Sequence, residues 1–276
     1  MSRKSILITG CSSGIGYAAA HGLRSAGWHV FASCRHAEDC ARLKAEGFDS
    51  PRIDYADATS ISAGLQEVLD ATGGTLDALF NNGAYGVPGA VEDLPTDALR
   101  AIFETNFFGW HDLARQVIPV MRKQGHGRIV QCSSVLGFVT MPWRGAYNST
   151  KYALEGLTQT LRIEMRDTPI HVISIQPGPI TSKIRVNSIP HFERWIDWEG
   201  SVRVEQYRNI LRKRLYEDRG PDAFELPADA VVKKLRHALE AHNPRPRYMV
   251  TTPTYIMAVL RRILPVRALE WVLSRG

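Results

Sequence analysis

Apolar segments that alternate with helix-forming segments are the feature of this sequence that most constrains its fold. No hairpin turn joins consecutive apolar segments, so each strand is expected to pair in parallel with its neighbours through a helical crossover. The pattern therefore predicts an α/β fold, a doubly wound parallel sheet with helices on both faces. The predicted strands are Ser5–Thr9, Trp28–Ser33, Arg52–Tyr55, Leu76–Phe80, Arg128–Cys132, Ile170–Gln176 and Tyr248–Thr251.

Several of the predicted helices stop at a glycine, a residue that terminates helices readily. The predicted helices are Tyr17–Gly27, Glu38–Glu46, Ser60–Thr72, Thr96–Met121, Ala146–Met165 and Pro227–His242. The longest of them is expected to be irregular near Phe107–Gly109 and again before Pro119. After Ser182 the alternation stops, and residues 183–224 are predicted to be a substrate-loop insertion, with residues 253–276 as a basic C-terminal tail. A chain of 276 residues with 44% hydrophobic content suits a single domain over residues 1–276.

A glycine-rich turn follows the first predicted strand and opens the first helix. Gly10, Gly14 and Gly16 have the spacing GxxxGxG, which differs from the common dinucleotide and phosphate-loop patterns. At this place in the fold, glycines let the backbone approach a pyrophosphate that rests on the helix N-terminus. Ser12 and Ser13 either add hydroxyl contacts to phosphate or cap the helix. The placement, more than the bare pattern, predicts a dinucleotide site.

The end of the second predicted strand indicates which dinucleotide binds. An acidic residue there would hold the 2′-hydroxyl of NAD, but the sequence has Ser33, Cys34 and Arg35. A guanidinium suits a 2′-phosphate through paired charge-assisted hydrogen bonds, so Arg35 favours NADP, with NAD still open. The alternative is that Arg35 is an ordinary surface arginine. Asp54, at the end of the third strand, is placed to meet an adenine amino group.

Tyr147 and Lys151 stand four residues apart in a helix-forming run, so their side chains share one helix face. A nearby ammonium is expected to lower the pKa of the phenol from its usual value of about 10. Such a tyrosine can exchange a proton with an alcohol or carbonyl oxygen. Ser134 follows the fifth strand and could hydrogen-bond the same oxygen. The pair alone occurs by chance in many helices, so its meaning depends on the other motifs.

Taken in order, these motifs resemble those of the short-chain dehydrogenase/reductase family. The matching residues are TGCSSGIG (Thr9–Gly16), Asp54, NNGA (Asn81–Ala84), Asn106, Ser134, YNSTK (Tyr147–Lys151) and PGPITS (Pro177–Ser182). They span roughly residues 5–182. The resemblance implies a Rossmann-type domain that binds NAD(P) at the carboxyl ends of the strands. It also implies hydride transfer between the nicotinamide and a carbonyl or alcohol.

The resemblance also implies a role for each matching residue. Tyr147 would be the general acid/base, and Ser134 would polarise the carbonyl. Lys151 would lower the pKa of Tyr147 and bind the nicotinamide ribose, while Asn106 would hold a water that links Lys151 to solvent. The expected cofactor contacts are Gly10, Ser12, Ser13, Gly14, Ile15, Gly16, Arg35, Asp54, Asn81, Gly83, Tyr147, Lys151, Pro177, Gly178, Ile180, Thr181 and Ser182.

Three departures from the family pattern bear on the cofactor. The usual NNAG is NNGA here, and both exchanged residues are small enough for close backbone approach. The hydroxyl after the PG pair is either Thr181 or Ser182, and the sequence leaves open which one meets the carboxamide. Cys11 stands where NADP-binding members often carry a basic residue, which leaves Arg35 to select the cofactor.

The substrate is expected to be chosen by the insertion. Its apolar residues are Ile184, Val186, Ile189, Phe192, Trp195 and Trp198. A pocket of this kind suits a lipophilic ligand, and the insertion with its basic tail is similar to the steroid and retinol dehydrogenase branch and to bacterial aldehyde reductases. The implied substrate is a steroid, a retinoid or a long-chain aldehyde. Alternatively, these aromatics only pack the lid, and Phe138, Met141 and Trp143 are equally open between core and substrate lining.

Composition and motif content limit the kinds of partner that this chain is expected to bind. The net charge of +6 comes without a nucleic-acid-binding motif, and the histidines and cysteines show no zinc spacing, so neither nucleic acid nor metal is expected. Four cysteines without a CxxC pair fit reduced thiols in a cytoplasmic protein. No apolar run reaches the ~18 residues of a membrane span. The tail could lie on a membrane surface or pack on the domain with its arginines outward.

Two further expectations rest on the resemblance. The family favours homodimers or homotetramers built on two long helices, one of which is the Tyr147 helix. A different class of function, a non-catalytic NADP-binding redox sensor, would be indicated by loss of Ser134, Tyr147 or Lys151. All three residues are present, which favours an enzyme.

Overall fold

A six-stranded sheet forms the centre of the computed structural model, which describes residues 3–217 and 220–274. The strand order is β2-β1-β3-β4-β5-β6, and every neighbouring pair is parallel. The strands are β1 (Ser5–Ile8), β2 (His29–Ala32), β3 (Ala78–Asn81), β4 (Gly127–Cys132), β5 (Ile170–Pro177) and β6 (Arg247–Val250). The chain reverses its direction of travel across the sheet between β1 and β3, which is where ligands bind in such folds.

Helices cover both faces of this sheet. Ile6, Leu7 and Ile8 are consecutive and 0% exposed, and since successive strand residues point to opposite faces, neither face is open to solvent. The helices are α1 (Gly14–Ser25), α2 (Ala37–Ala45), α3 (Ala58–Thr72), α4 (Thr96–Phe103), α5 (Gly109–Gln124), α6 (Gly145–Glu164), α7 (Ile184–Trp195), α8 (Val204–Gln206), α9 (Lys213–Tyr216), α10 (Asp229–Glu240), α11 (Thr252–Ile263) and α12 (Val266–Leu273). The predicted α/β class is confirmed.

The predicted third strand, Arg52–Tyr55, does not form a continuous strand. The segment meets β2 and its extension only through the single bridges Phe31–Asp49 and Cys34–Arg52. Pro51 lies between the two bridges, and because proline has no N–H it cannot donate to the ladder there. Backbone hydrogen bonds exist on either side of it, so the segment follows the sheet edge without completing a strand.

The predicted helix Thr96–Met121 is divided as its first irregularity suggested, but it continues through Pro119. A π-helical segment, Glu104–Phe108, joins α4 to α5. A Cβ on Gly109 would lie 2.3 Å from the Tyr55 carbonyl oxygen, so the helix backbone sits directly against the neighbouring loop. The break expected before Pro119 is absent, because Pro119 is on the exposed side of α5, where water can satisfy the carbonyl that it frees.

The insertion builds a second apolar cluster beside the carboxyl edge of the sheet. Phe192 of α7 and Tyr207, in the π-helical segment after α8, are buried at 1% and 0% exposure and pack with Ala146 of α6. The Tyr207 hydroxyl donates to Asp93 at 2.8 Å and accepts from the Ala90 N–H at 2.9 Å. These bonds fasten the insertion to the loop after β3, so its position relative to the sheet is defined.

The C-terminal helices α11 and α12 lie against the loop that follows β4. Leu264 and Leu269 share a groove with Phe138 and Tyr152, and the Arg261 guanidinium lies 5.8 Å from the Tyr152 ring centroid. The same helices expose the large apolar residues Tyr255, Ile256, Val259, Ile263, Val266 and Trp271. Among the described residues, no helix has the length and apolarity needed to cross a membrane.

Candidate active site

The predicted site residues meet where four strands end at one edge of the sheet. The glycine turn follows β1, Asn81 closes β3, Ser134 follows β4 and Pro177 closes β5. The strands are parallel, so these four ends lie side by side. The switch in direction between β1 and β3 opens a crevice at the same edge.

Two of the three turn glycines are required by the protein's own backbone. A Cβ on Gly10, at φ +67°, would lie 2.5 Å from the Gly83 Cα, and one on Gly16 would lie 2.3 Å from the Gly10 carbonyl oxygen. Gly14, at φ +59°, faces Ser182 across the crevice, and a Cβ there would be 3.2 Å from the Ser182 Cβ. The turn therefore needs glycine for its own packing and conformation, and this also brings it close to the loop after β5.

The N-terminus of α1 fits a bound phosphate. Ser13 is the N-cap residue, but its side chain makes no capping hydrogen bond, so its hydroxyl is free for another acceptor or donor. The predicted capping alternative is therefore wrong for Ser13. Ile15 packs on the main core, which fixes the first turn of the helix. A free hydroxyl beside unpaired helix N–H groups is the donor set that a dinucleotide pyrophosphate requires.

Arg35 presents an uncompensated guanidinium at the carboxyl end of β2. Its side chain is exposed and contacts the neighbouring His36 Nε2 at 2.9 Å, with no carboxylate partner in the described part of the chain. Arg42 of α2 also reaches the turn and donates to the Ser12 carbonyl oxygen at 2.9 Å, but it is paired with Asp39 and Glu46. No sequence pattern singles out Arg42, because its approach to Ser12 depends on how α2 packs.

Three other cofactor-related residues point away from the crevice or are already engaged. Cys11 is buried and its thiol donates to the Ile8 carbonyl oxygen. Asp54 accepts from the Ala56 N–H at 3.0 Å and is only partly buried. Asn81 is 0% exposed, and its amide donates to Gln131 at 3.0 Å while its oxygen accepts from a tyrosine hydroxyl. The Asn81 side chain thus ties neighbouring elements together and does not face a ligand.

The two candidate hydroxyls in the loop after β5, those of Thr181 and Ser182, have different surroundings. Thr181 donates to the Glu225 carboxylate at 2.7 Å, whereas Ser182 is exposed opposite the glycine turn. Gly178 is confined, since a Cβ would lie 2.2 Å from the Thr251 hydroxyl, and Ile180 pairs with Leu226 through a single bridge. This geometry favours Ser182 as the hydroxyl that faces the crevice.

Ser134, Tyr147 and Lys151 come together beside the end of β4. The Ser134 hydroxyl accepts from the Leu136 N–H at 3.1 Å, donates to the Pro177 carbonyl oxygen at 3.5 Å and lies near the Tyr147 phenol. The Lys151 ammonium donates to the Cys132 carbonyl oxygen at 2.9 Å and lies 5.5 Å from the Tyr147 ring centroid and 4.2 Å from that of Trp110. Tyr147 is half-buried, while Lys151 is only 1% exposed.

The pKa of the Tyr147 phenol is raised, whereas the sequence predicts that it is lowered. Burial, aided by Cys132, raises the pKa of Tyr147 above its usual value, and the neighbouring Ser134 hydroxyl and the charge of Arg144 lower it only partly. Burial also lowers the pKa of Lys151 to about 8, against opposing effects from Cys132 and Glu155. The prediction that Lys151 lowers the Tyr147 pKa is therefore wrong for the protein alone, because loss of hydration dominates both groups.

Asn106 lies at the centre of the π-helical segment and is fully buried. Its side chain donates to the Tyr85 carbonyl oxygen at 2.8 Å and accepts from the Tyr85 N–H at 3.1 Å, with a third, longer contact to Thr150 at 3.4 Å. It thus holds the loop after β3 against α6. A π-helical segment inside a helix is a frequent mark of a functional site, and here it turns Asn106 inward.

Trp143 and Arg144 lie directly before α6; the sequence left Trp143 open between core and substrate lining and did not identify Arg144 as a site residue. Trp143 has φ +64°, a left-handed conformation that a bulky residue rarely adopts. Its carbonyl accepts from the Gly89 N–H at 2.9 Å, and its ring lies 5.0 Å from that of Tyr207. This bend starts α6 and places Arg144 near the Tyr147 phenol. No local pattern predicts it, since a tryptophan gives no signal for a left-handed turn.

The chain is similar to known proteins over most of its length. The family model for short chain dehydrogenase matches residues 4–191. An uncharacterized oxidoreductase, YbbO, from Escherichia coli is 38% identical over 99% of this chain and 94% of its own length. A short-chain dehydrogenase structure from Streptomyces avermitilis has a TM-score of 0.77 at 26% identity, covering 98% of this chain and 96% of that one. A gluconate 5-dehydrogenase from Burkholderia cenocepacia, solved with NADP and tartrate, has a TM-score of 0.61 at 27% identity, covering 67% and 74% respectively.

Proposed function

This chain belongs to the short-chain dehydrogenase family and is an NAD(P)-dependent oxidoreductase, and from that premise we propose that it uses NADP(H) to interconvert a lipophilic carbonyl compound and its alcohol. The observation that carries the proposal is the group formed by Ser134, Tyr147 and Lys151 at the crevice edge. The nicotinamide cofactor, when bound, supplies or accepts the hydride. The remaining steps belong to the side chains of this chain.

In the proposed mechanism, Ser134 and Tyr147 hold the carbonyl oxygen. The Ser134 hydroxyl lies near the Tyr147 phenol, so a substrate oxygen can take a place beside both. The raised pKa of Tyr147 keeps the phenol protonated at neutral pH, which suits donation of a proton to the oxygen as the carbonyl is reduced. Lys151 is the group that would contact the nicotinamide ribose and replace the proton, with Asn106 holding the adjacent loop in place.

NADP is proposed over NAD because Arg35 offers a free cation where the 2′-phosphate would lie. Its guanidinium has no carboxylate partner in the described residues, whereas Arg42 nearby is neutralised by Asp39 and Glu46. A carboxylate that could hold a 2′-hydroxyl is absent from the sequence at the end of β2. A doubly charged phosphate would find a bidentate partner there.

The lipophilic substrate is proposed from the apolar cluster beside Tyr147. Tyr147, Trp143, Ile189 and Trp195 all pack against this cluster and are only partly buried, so their open sides are available to a ligand. Phe192, in contrast, is 1% exposed and serves as core of the insertion. Steroids, retinoids and long-chain aldehydes have the apolar bulk that such a lining favours. The residues between 183 and 224 would act as the lid over this substrate.

The decisive experiment is an NADPH-oxidation screen against ketosteroids, retinal and aldehydes of graded length, run with the natural chain and with Tyr147→Phe. We expect turnover with one of these classes, and loss of at least ~100-fold in kcat for Tyr147→Phe, as for a general acid. NADPH binding, followed by fluorescence, should change less than about threefold. Near-normal kcat in Tyr147→Phe would refute the role of Tyr147, while NADPH binding without turnover of any carbonyl would favour a redox sensor.

A homo-oligomer in the cytoplasm completes the proposal. Phe108, the last residue of the π-helical segment before α5, is 49% exposed, and Ile163 of α6 is 66% exposed. Exposed apolar side chains favour association. The four buried, free cysteines are consistent with a reducing compartment.

A further inference from the structure

Three arginines from separate segments meet beside the candidate active site. Arg144 precedes α6, Arg185 lies in α7 and Arg214 lies in α9, and the charges of the latter two both act on Arg144. The Asp222 carboxylate is shared between two of them, accepting from Arg185 at 3.3 Å and from Arg214 at 3.1 Å. Among the described residues, three guanidiniums therefore share one carboxylate, and the group, which we name the arginine cluster, keeps an excess of positive charge there.

Arg144 is the member of the arginine cluster that lacks an ionic partner. Its guanidinium is partly buried and donates to the Met141 sulfur at 3.0 Å, and no carboxylate pairs with it within residues 3–217 and 220–274. Burial, together with the charge of Arg214, lowers the pKa of Arg144 to about 10, while Asp222 opposes this. A thioether is a weak acceptor, so this cation is poorly compensated. Charges withdrawn from water are normally paired, and an unpaired one indicates a missing partner.

Arg144 is the N-cap residue of α6 and lies three residues before Tyr147, so the arginine cluster and the phenol are neighbours at the start of one helix. The charge of Arg144 lowers the pKa of Tyr147, and Tyr147 in turn raises that of Arg144. Trp143, Ile189 and Trp195 pack against the same apolar cluster as Tyr147 and provide apolar surface. A ligand in this space would meet a hydroxyl pair at one point, a cationic group at another, and apolar surface between them.

We propose that the substrate is a carbonyl compound with an apolar body and an anionic group, a carboxylate, sulfonate or phosphate, and that the anion binds to the arginine cluster through Arg144. This inference rests on the proposed function, since it concerns the substrate of the same site. The guanidinium forks suit the planar or tetrahedral oxygens of such groups, which they bind bidentately. Asp222 holds Arg185 and Arg214 in position until the ligand arrives and competes with it for them.

The test compares ω-oxo carboxylic acids of short, medium and long chain length with their methyl esters, which lack the negative charge. We expect the natural enzyme to show a higher kcat/KM for the acids, with an optimum at one length. Arg144→Met should lower the value for the best acid by on the order of 10- to 100-fold, mainly through KM, and lower that for its ester much less. Arg144→Lys should restore part of the loss.

Two further variants separate the inference from a folding defect. Asp222→Asn removes the competing carboxylate and should lower KM for the acid, a gain that a damaged fold cannot produce. Arg208→Met is the matched control, because Arg208 is an exposed arginine of the same insertion that pairs with Glu205. It should leave the preference for acids unchanged. Equal use of acids and esters by the natural enzyme, or an equal loss for both in Arg144→Met, would overturn the inference.

A binding measurement keeps this inference distinct from the proposed function. Decanoate should raise the Tm of the natural chain but not that of Arg144→Met. Decanol, an uncharged molecule of the same chain length, should change the Tm of both proteins equally. If no carbonyl is reduced but decanoate binds through Arg144, the reductase proposal fails while the anion site stands. If carbonyls are reduced but decanoate binds equally to the natural chain and to Arg144→Met, the anion site is refuted and the reductase proposal stands.

Discussion

The buried position of the Lys151 ammonium costs it much of its hydration free energy. The side chain is 1% exposed, and its compensating contacts are one carbonyl oxygen and the face of Trp110. Its pKa falls from 10.5 to about 8, a change that corresponds to roughly 3 kcal/mol of lost stability when the group is charged. Such a cost is typical of groups retained for function.

Replacing Lys151 with Met should stabilise the fold at pH 7 by about 1–3 kcal/mol while abolishing turnover. Below pH 8 both folded and unfolded chains hold the proton, so the penalty is complete. Between about 8 and 10.5 the unfolded chain binds more protons than the folded one, so the natural protein gains stability as pH rises. Urea unfolding of both proteins at pH 7 and pH 10 measures this, and a variant less stable at pH 7 would contradict it.

A substitution of Arg35 tests the proposed preference for NADP over NAD. Arg35→Asp should lower the ratio of NADPH to NADH kcat/KM by on the order of 100-fold, as expected when about two charge-assisted hydrogen bonds are lost and repulsion is added. Arg245→Asp is a matched control, because that exposed arginine precedes β6 at the opposite edge of the sheet. An unchanged ratio in Arg35→Asp would remove the argument for NADP.

At the scale of elements, glycines decide how closely the turn after β1 approaches its neighbours. The backbone around Gly10 and Gly16 packs against Gly83 and Asn82 with no room for a side chain. Gly156, within α6, is exposed, and a Cβ there would meet nothing within 4 Å among the described residues. Adding a side chain should therefore destabilise the fold at the first kind of glycine and stabilise it at the second. The sequence does not show which kind a given glycine is.

Gly16→Ala should destabilise the protein by about 2 kcal/mol or more, because its Cβ would press on backbone that cannot move aside. Gly156→Ala, in contrast, should stabilise it by about 0.5–1 kcal/mol by restricting the unfolded chain within a good helix position. Urea unfolding curves for both variants provide the comparison. A neutral Gly16→Ala would mean that the turn relaxes far more easily than its contacts indicate.

At the scale of the whole molecule, the exposed apolar residues of the long helices predict an assembly. Ile163→Glu places a charge on the surface of α6 and should shift the proposed oligomer towards monomer, as measured by light scattering after size-exclusion chromatography. Val202→Glu, at a position that is 90% exposed on the insertion, should leave the mass unchanged. A natural chain that is already monomeric, or an Ile163→Glu oligomer of full size, would refute an α6 interface.

The architecture and much of the chemistry follow from sequence because they rest on local patterns. Apolar runs separated by helices define the parallel sheet, and the motifs at strand ends necessarily meet at one edge, so Ser134 and Tyr147 could be paired in advance. Pro51 shows the limit of this argument, since one missing donor N–H reduces a predicted strand to two bridges. The contacts of Asn81 escape sequence analysis for a similar reason, because only packing reveals that its amide is used by neighbouring elements.

Tertiary structure alone decides the electrostatics of the site. The spacing of Tyr147 and Lys151 indicates an interaction, but the direction of both pKa shifts depends on burial, which no local pattern contains. The same holds for the arginine cluster, whose members lie far apart along the chain and meet only when the insertion folds over α6. Sequence by itself therefore determines the reaction class, through residues that a regular sheet must bring together. The fold determines what the substrate meets, because charge and hydration act through space and not along the chain.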